Sequence, residues 1–417
     1  MPVTIELKDD ELLVTDLISV QALDRSFFGS SYQNSKTTLK LLAEEALYLI
    51  DVRNSACNFE GKPTTFNFIA GKFQGPKFLA RYFCYRDWRD RGIIARAIEE
   101  AKGPYNSQTQ VKYPTKQFKS PKVKSRGLFF YDDLMCIIDN NEEGLILYDK
   151  YWFGQFGTYK ANKHGQFLKL DAYETLFLSK FGNLKITLPE EMSKAQLNRE
   201  SKYQSLEAEL EKKGQKLDNE QKRLVYELVK RRSDFLSLYE VYEDLRLKGF
   251  VLKTGFKFGT HFRLYMPGAL PNLSNEEWMH SKHVIHVFPR ASKLLISEWA
   301  RAIRVAHGVR KTFILAIPGK KDIKTNGKLD FLLYHRKKEG IQTPKADNAK
   351  YAMLCFSEEE EIGGGQLAQA IANSGELGLD LILSICDRES SVTHYLVKRI
   401  NLSNGSFEYY EIEWVQP

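Results

Sequence analysis

Two stretches, YEVYEDLRLKGFVLKTGFKFGTHFRLY (Tyr239–Tyr265) and HSKHVIHVFPRASKLLISEWARAIRVAHGVRKTFILAIP (His280–Pro318), decide how this chain folds. The first opens as a short helix over Tyr239–Lys248 that Gly249 stops in the C-cap role. Two β runs follow, Phe250–Lys253 and His261–Tyr265, with Gly255 and Gly259 turning the chain between them. In the second stretch His283–Phe288 reads as a strand. Leu294, Leu295, Trp299, Ala302 and Ile303 then recur on one face, which predicts a helix over Lys293–Ala306 with Gly308 as its cap. Lys311 opens a last apolar strand, Thr312–Ile317. The block is therefore a mixed α/β unit with its polar groups gathered at strand and helix ends.

Outward from this block the chain repeats itself. Phe27-Phe28-Gly29 leads to Glu45-Ala46-Leu47-Tyr48-Leu49, and Trp152-Phe153-Gly154 leads to Glu174-Thr175-Leu176-Phe177-Leu178. Tyr85–Gly92 and Tyr242–Gly249 both spell Tyr-x-Asp-apolar-Arg-x-basic-Gly. Towards the C-terminus, Phe356, Ala370, Ile371 and Leu383 echo Phe288, Ala302, Ile303 and Leu315 at one offset, since 356 − 288 and 383 − 315 are both 68. An offset kept through strand, helix and strand implies one local fold. The expected fold class is α+β with duplicated units, each an N-terminal helix/strand domain plus a mixed α/β domain. The expected boundaries are 1–126 for a partial degenerate unit and basic linker, 127–235 for the N-terminal domain of a whole unit, 236–345 for its second domain and 346–417 for a degenerate half-unit.

The offset also shows what the copies do not share. His280 falls on Asn348, Arg304 on Ala372 and Lys311 on Leu379. Packing keeps Phe, Ala, Ile and Leu in both copies; only ligand binding or chemistry gives a reason for His, Arg and Lys in one alone.

Composition bounds the rest. The chain has 417 residues, 43% of them hydrophobic, enough for two or three domains with real cores. No apolar run is long enough to cross a bilayer, and the N-terminus lacks the look of a secretory signal, so a cytoplasmic protein is expected. The five cysteines are scattered with no CxxC spacing, which suits a reducing compartment and suggests neither zinc nor disulfides. A net charge of +8 fits an anionic partner such as RNA. Lys112–Arg126 carries six basic residues and no acid, and reads as a tether or as an RNA-backbone contact. Glu190–Lys230 reads as amphipathic helices through Leu206, Leu210, Leu217, Leu224 and Leu228. Lys160–Lys169 reads as a basic insertion.

The phrases YEDLRLKGFVLKTGFKFGTHFRLY, HS at His280 and RVAHGVRK occur in the order in which they occur in the archaeal and eukaryotic tRNA-splicing (tRNA-intron) endonucleases, and the block resembles the catalytic domain of that family over about eighty residues. The resemblance implies a restriction-endonuclease-like nuclease domain in which Tyr265, His280 and Lys311 cut RNA without a metal or other cofactor. The 2′-hydroxyl would attack the adjacent phosphorus, leaving a 2′,3′-cyclic phosphate and a 5′-OH. Tyr265 would act as base with its pKa lowered by a cation such as Lys311, His280 would protonate the leaving oxygen, and Lys311 would meet the phosphoryl charge. Within the block, His261, His283 and His286 read as non-catalytic, the last two on opposite faces of one strand. The loop Met266–Met279 is longer than is usual in the family.

The resemblance further implies that Arg304 stacks on a flipped-out base of a bulge-helix-bulge precursor tRNA; a surface ion pair is the plainer reading. A second stacking arginine belongs on the unit's last strand, where LDFLLYHR aligned with VTHYLVKR selects Arg336. The basic loop Gly319–Lys328 would hold RNA phosphates. Asp387 and Glu389 would assemble two chains by plugging a basic cleft, against plain surface residues as the alternative. One live unit per chain and two cuts per intron imply a homodimer. Two other functions stay open: a noncatalytic RNA-binding scaffold, and a metal-dependent nuclease, for which the block offers no Asp…Glu-x-Lys set.

Overall fold

A computed structural model describes residues 3–157, 165–188, 201–212, 214–271, 281–319, 327–402 and 407–417. The fold is α+β and duplicated. Residues 4–64 build a six-stranded mixed sheet, and residues 126–187 build a four-stranded sheet of related pairing. In each, two antiparallel strands lead the sheet (Thr4–Lys8 with Glu11–Val14; Arg126–Phe130 with Met135–Ile138) and a helix follows (Ala43–Arg53; Ala172–Phe181).

An eleven-stranded sheet runs through the rest of the molecule. Its order is Val251–Thr254, Phe262–Tyr265, His283–Val287, Thr312–Ile317, Glu408–Val415, Val392–Asn401, Asp380–Cys386, Tyr351–Ser357, Phe331–Tyr334, Ile94–Ala97, and Gln110–Lys112 pairs with Val392–Asn401 off that path. A local two-fold relation passes through the Val397–Ile412 pair of the central hairpin. On either side the elements match. The strands starting at 283, 293 and 312 and the helix starting at 296 recur at 351, 361, 380 and 364, and each difference is 68. The constant offset seen in the sequence is thus a constant offset in secondary structure.

The front of the second nuclease-like half comes from far upstream. Helix Phe78–Asp90 and strand Ile94–Ala97 stand where helix Phe235–Leu247 and strand Val251–Thr254 stand in the first half, 157 residues later in both cases (235 − 78; 251 − 94). Strand Phe331–Tyr334 pairs with Ile94–Ala97, as Phe262–Tyr265 pairs with Val251–Thr254. Fragments from both ends of the chain therefore close one pseudo-unit around the whole one.

The Tyr-x-Asp-apolar-Arg-x-basic-Gly motif turns out to be architecture. Asp87 is held by Arg91 and by His394 at 2.8 Å, and Asp244 by Lys248 and by the Tyr409 hydroxyl at 2.7 Å. Arg89 donates to the Ser26 carbonyl and lies 3.9 Å from the Phe28 ring; Arg246 donates to the Tyr151 carbonyl and lies 4.1 Å from the Phe153 ring. Phe27 and Trp152 both have positive φ, 59° and 51°, ahead of Gly29 and Gly154 at 68° and 69°. The arginines thus tie each nuclease-like half to its own N-terminal sheet.

A buried ion pair makes the same tie. Glu45 accepts from the Gly29 and Leu42 N–H groups and pairs with Arg96 at 3.3 Å. Glu174 accepts from the Gly154 and Asp171 N–H groups and pairs with Lys253 at 2.6 Å. All four side chains are nearly or fully enclosed.

Several local expectations are revised. Lys293–Leu295 is a strand paired with Glu361–Gly363, and the helix starts at Ile296. Gly308 lies inside that helix, and the left-handed residue after it is Arg310 (φ 54°). Gly249 does turn the chain at φ 88°, where a Cβ would meet the Lys116 carbonyl oxygen at 2.4 Å. Lys112–Arg126 is not a loose tether. Lys116 and Phe118 donate backbone N–H groups to the Lys248 and Leu247 carbonyls, and Val123 is buried. Within Glu190–Lys230, helices Ser201–Lys212 and Asn219–Arg231 bury Leu206, Leu210, Leu224 and Leu228. Residues 189–200 and part of Lys160–Lys169 lie outside the described residues. The five cysteines are free and buried.

Candidate active site

Three adjacent strands bring the site together at one end. Phe262–Tyr265 runs antiparallel to His283–Val287, which runs parallel to Thr312–Ile317. The first strand finishes where the other two begin, so Tyr265, Ser281 and Lys311 meet at a common edge. The Thr312 N–H donates to the Lys282 carbonyl at 2.8 Å, which fixes Lys311 beside the 281–282 backbone.

Lys311 donates its ammonium to the Ser281 carbonyl and reaches the Ser281 hydroxyl at 3.4 Å. Its Nζ also lies 4.9 Å from the Phe258 ring. Burial lowers the Lys311 pKa, and the Arg263 charge lowers it further. Tyr265 is buried, with its ring 4.6 Å from that of Trp152. Arg263 donates to the Tyr265 hydroxyl at 3.3 Å, and Ser281 also hydrogen-bonds to it. Burial raises the Tyr265 pKa, while Arg263 and Ser281 oppose that rise. The expectation of a lowered tyrosine pKa is thus reversed, because desolvation of the phenolate outweighs the cation. The cation facing the hydroxyl is Arg263 rather than Lys311.

His280 lies outside the described residues, next to Ser281, which both Tyr265 and Lys311 contact. Three other histidines of this half are engaged in hydrogen bonds or ring contacts. His261 accepts the Val287 N–H at 2.9 Å, and its ring lies 4.7 Å from that of His286, tilted by 49°. Burial pulls their pKa values down to about 4 and about 3. His283 packs edge-on against Tyr113, and burial with Lys282 and Lys311 nearby brings its pKa to about 4.

The remaining sequence-derived residues stand elsewhere. Arg304 is exposed on helix Ile296–Gly308, and its guanidinium faces the Tyr395 hydroxyl. Arg336 does not share the edge with Tyr265 and Lys311. It follows strand Phe331–Tyr334 in the opposite half and donates to the Arg91 carbonyl at 2.8 Å. The alignment that selected it equated Phe331–Tyr334 with Val392–Asn401, whereas the pairing makes it the counterpart of Phe262–Tyr265. The strand that closes the first half beside Thr312–Ile317 is Glu408–Val415.

Asp387 and Glu389 sit on the tight turn between Asp380–Cys386 and Val392–Asn401. One Asp387 oxygen accepts the Glu389 and Ser391 N–H groups at 2.9 and 2.8 Å, and the turn is exposed. The basic loop Gly319–Lys328 falls mostly outside the described residues. Sequence reading missed Arg263, Phe258, Trp152 and Tyr113. Arg263 was recoverable, since it lies two residues before Tyr265 in a strand and so on the same face. Phe258 sits in the turn just before that strand, while Trp152 and Tyr113 arrive from distant segments.

The comparisons with known proteins agree with this architecture. Residues 235–326 match the model of the tRNA intron endonuclease catalytic C-terminal domain, and residues 130–197 match that of its N-terminal domain. The chain is 27% identical over 343 residues to a tRNA-splicing endonuclease of Methanococcoides burtonii, covering 72% of this chain and 93% of that protein. Against that of Pyrococcus furiosus it is 38% identical over 105 residues, 24% of this chain and 56% of the relative. Against that of Methanopyrus kandleri it is 31% identical over 159 residues, 38% of this chain and 71% of the relative. With both domain models matched in order and most of the Methanopyrus protein covered, this chain belongs to the tRNA-splicing endonuclease family and is an enzyme of that family.

Proposed function

We propose that this protein cuts precursor tRNA at the two splice sites of a bulge-helix-bulge, without a metal, and leaves 2′,3′-cyclic phosphate and 5′-OH ends. The observation that carries the proposal is the convergence of Tyr265 and Lys311 on Ser281, the neighbour of His280. The 2′-oxygen attacks phosphorus as its proton passes to Tyr265, whose phenolate draws on Arg263 and Ser281. The P–O5′ bond breaks, and His280 protonates the leaving oxygen. Lys311 meets the charge that builds on the phosphoryl oxygens. A free phenol is already mostly protonated near neutral pH, and burial raises the Tyr265 pKa further. Arg304 stacks its guanidinium on an unpaired base.

An intron-containing tRNA incubated with the purified protein in EDTA tests this. Two cuts are expected, with ends that resist 3′ adenylation until the cyclic phosphate is removed. Loss of cutting in EDTA would select a metal-dependent nuclease, and no cutting with or without added divalent metal would select a scaffold.

Two cuts need two sites, and each chain supplies one Tyr265–His280–Lys311 set. A C2 homodimer follows, in which the Asp387–Glu389 turn enters a basic cleft of the second chain. Asp387→Asn with Glu389→Gln keeps a side-chain oxygen at 387 to accept the backbone N–H groups of residues 389 and 391, and removes both charges. The double variant is expected to shift the dimer towards monomer at micromolar concentration; an unchanged mass by light scattering would reject this role. Among the described residues no helix is long and apolar enough to cross a membrane, and action on tRNA in the cytoplasm accords with the substrate.

A further inference from the structure

The degenerate half keeps a concave site where its duplicate does chemistry. Tyr334 pairs with Ile94 as Tyr265 pairs with Val251, so it is the counterpart of the active-site tyrosine. Asn348 stands three residues before strand Tyr351–Ser357, as His280 stands before His283–Val287. Tyr334 and Asn348 line one cavity together with Lys102, Tyr105, Lys345 and Asp347. Lys311 has become Leu379, which is fully buried and absent from the lining.

The cations of this cavity were not inherited from the fold. By the repeat offsets, Lys102 falls on Gly259 (102 + 157) and Lys345 on Glu277 (345 − 68) in the catalytic copy. Both lysines are exposed, and Lys345 holds Asp24 at 2.6 Å in a solvent-facing pair that a ligand can displace. Asp347 is already neutralised, since Lys337 reaches its two oxygens at 2.7 and 2.8 Å and the Thr343 N–H donates to it at 2.9 Å. The exposed Lys102 ammonium, the Lys345 ammonium once released from Asp24, a carboxamide, a phenol and the Tyr105 ring suit a ribose-phosphate joint. The imidazole and the fixed ammonium that cleavage needs are missing.

We propose that this degenerate cavity is a second RNA site, which grips a backbone phosphate of the substrate away from the scissile bond and does not cut it. This rests on the reading that the substrate is precursor tRNA. In the homodimer the two cavities would hold the body of the RNA while the two Tyr265–Lys311 edges act.

The test compares the full-length protein with the Lys102→Ala/Lys345→Ala variant. The probe is an intron-containing tRNA with 2′-deoxy sugars at both splice positions, so that binding is read without cutting. The variant is expected to bind several-fold more weakly at 0.15 M salt, with a slope of log K against log salt shallower by about 0.7, the value for one single-strand phosphate contact. Single-turnover cleavage of the all-ribose tRNA at saturating variant should match the wild type. Equal affinity and equal slope would overturn the cavity's role, whatever the wild type does. If the wild type binds but never cuts, and the variant still binds more weakly, the cavity stands and the nuclease reading falls. If the wild type neither binds nor cuts, both fall.

Discussion

Replacing Lys311 with alanine is expected to slow single-turnover cleavage by about 10²–10³-fold, the usual effect of removing one group that meets charge developing in the transition state. The fold should survive, because Lys311 lies at a strand start and its partners are the Ser281 carbonyl and hydroxyl and the face of Phe258, none of them charged. Its pKa is already lowered by burial and by Arg263, so the ammonium is held in a partly desolvated place where it interacts more strongly with an anion than it would in water. Lys311→Arg should restore little, since a planar guanidinium cannot occupy the point position of an ammonium beside Ser281. His280→Ala is expected to lose about 10²–10⁴-fold, as a general acid would. The measurement is cleavage with enzyme in excess over an intron-containing tRNA, alongside thermal unfolding of each variant. A Lys311→Ala rate within threefold of the wild type, on folded protein, would remove Lys311 from the chemistry.

How far the sequence could be read depended on what each residue was kept for. The 68-residue offset survived because it records strand–helix–strand spacing, and spacing is fixed by the sheet. The contrast of Lys311 with Leu379 was visible for the same reason. Arg336 went astray because a short apolar strand aligns with almost any other, and only hydrogen-bond pairing shows that Phe331–Tyr334 lies beside Ile94–Ala97. That pairing joins residues more than two hundred positions apart, and no local pattern encodes it. The shift at Tyr265 was hidden in the same way. The Trp152 ring that packs on the Tyr265 ring comes from another domain, and burial, not sequence neighbours, sets the direction of that pKa. The motif around Asp87 and Asp244 was legible as a repeat but not as architecture, because its partners His394 and Tyr409 lie at the far end of the chain.

Those interdomain ties predict the second large effect. Lys253→Ala is expected to destabilise the catalytic half by about 3–5 kcal/mol, the range for leaving one member of a buried ion pair without its partner. Lys253 spans strand Val251–Thr254 and the N-terminal sheet, donating to Glu174 at 2.6 Å and to the Gly154 carbonyl at 3.0 Å. Without it, Glu174 keeps two backbone N–H donors but sits beside Asp171, whose carboxyl is already pushed up to about 7 by burial and by the Glu174 charge. Two carboxylates would then share one dry site with no ammonium between them, and one of them would have to take up a proton on folding. Lys253→Ala should therefore recover part of its stability as the pH falls, because protonation relieves the like-charge contact. Adding Glu174→Gln to Lys253→Ala removes the orphaned charge while keeping one of the two side-chain oxygens that accept from Gly154 and Asp171, so the double variant should be more stable than the single one. Urea unfolding at two pH values reads both effects. A loss below about 1 kcal/mol for Lys253→Ala, or a double variant less stable than the single, would show that the clasp is held by the backbone hydrogen bonds and the Arg246–Phe153 contact rather than by the ion pair.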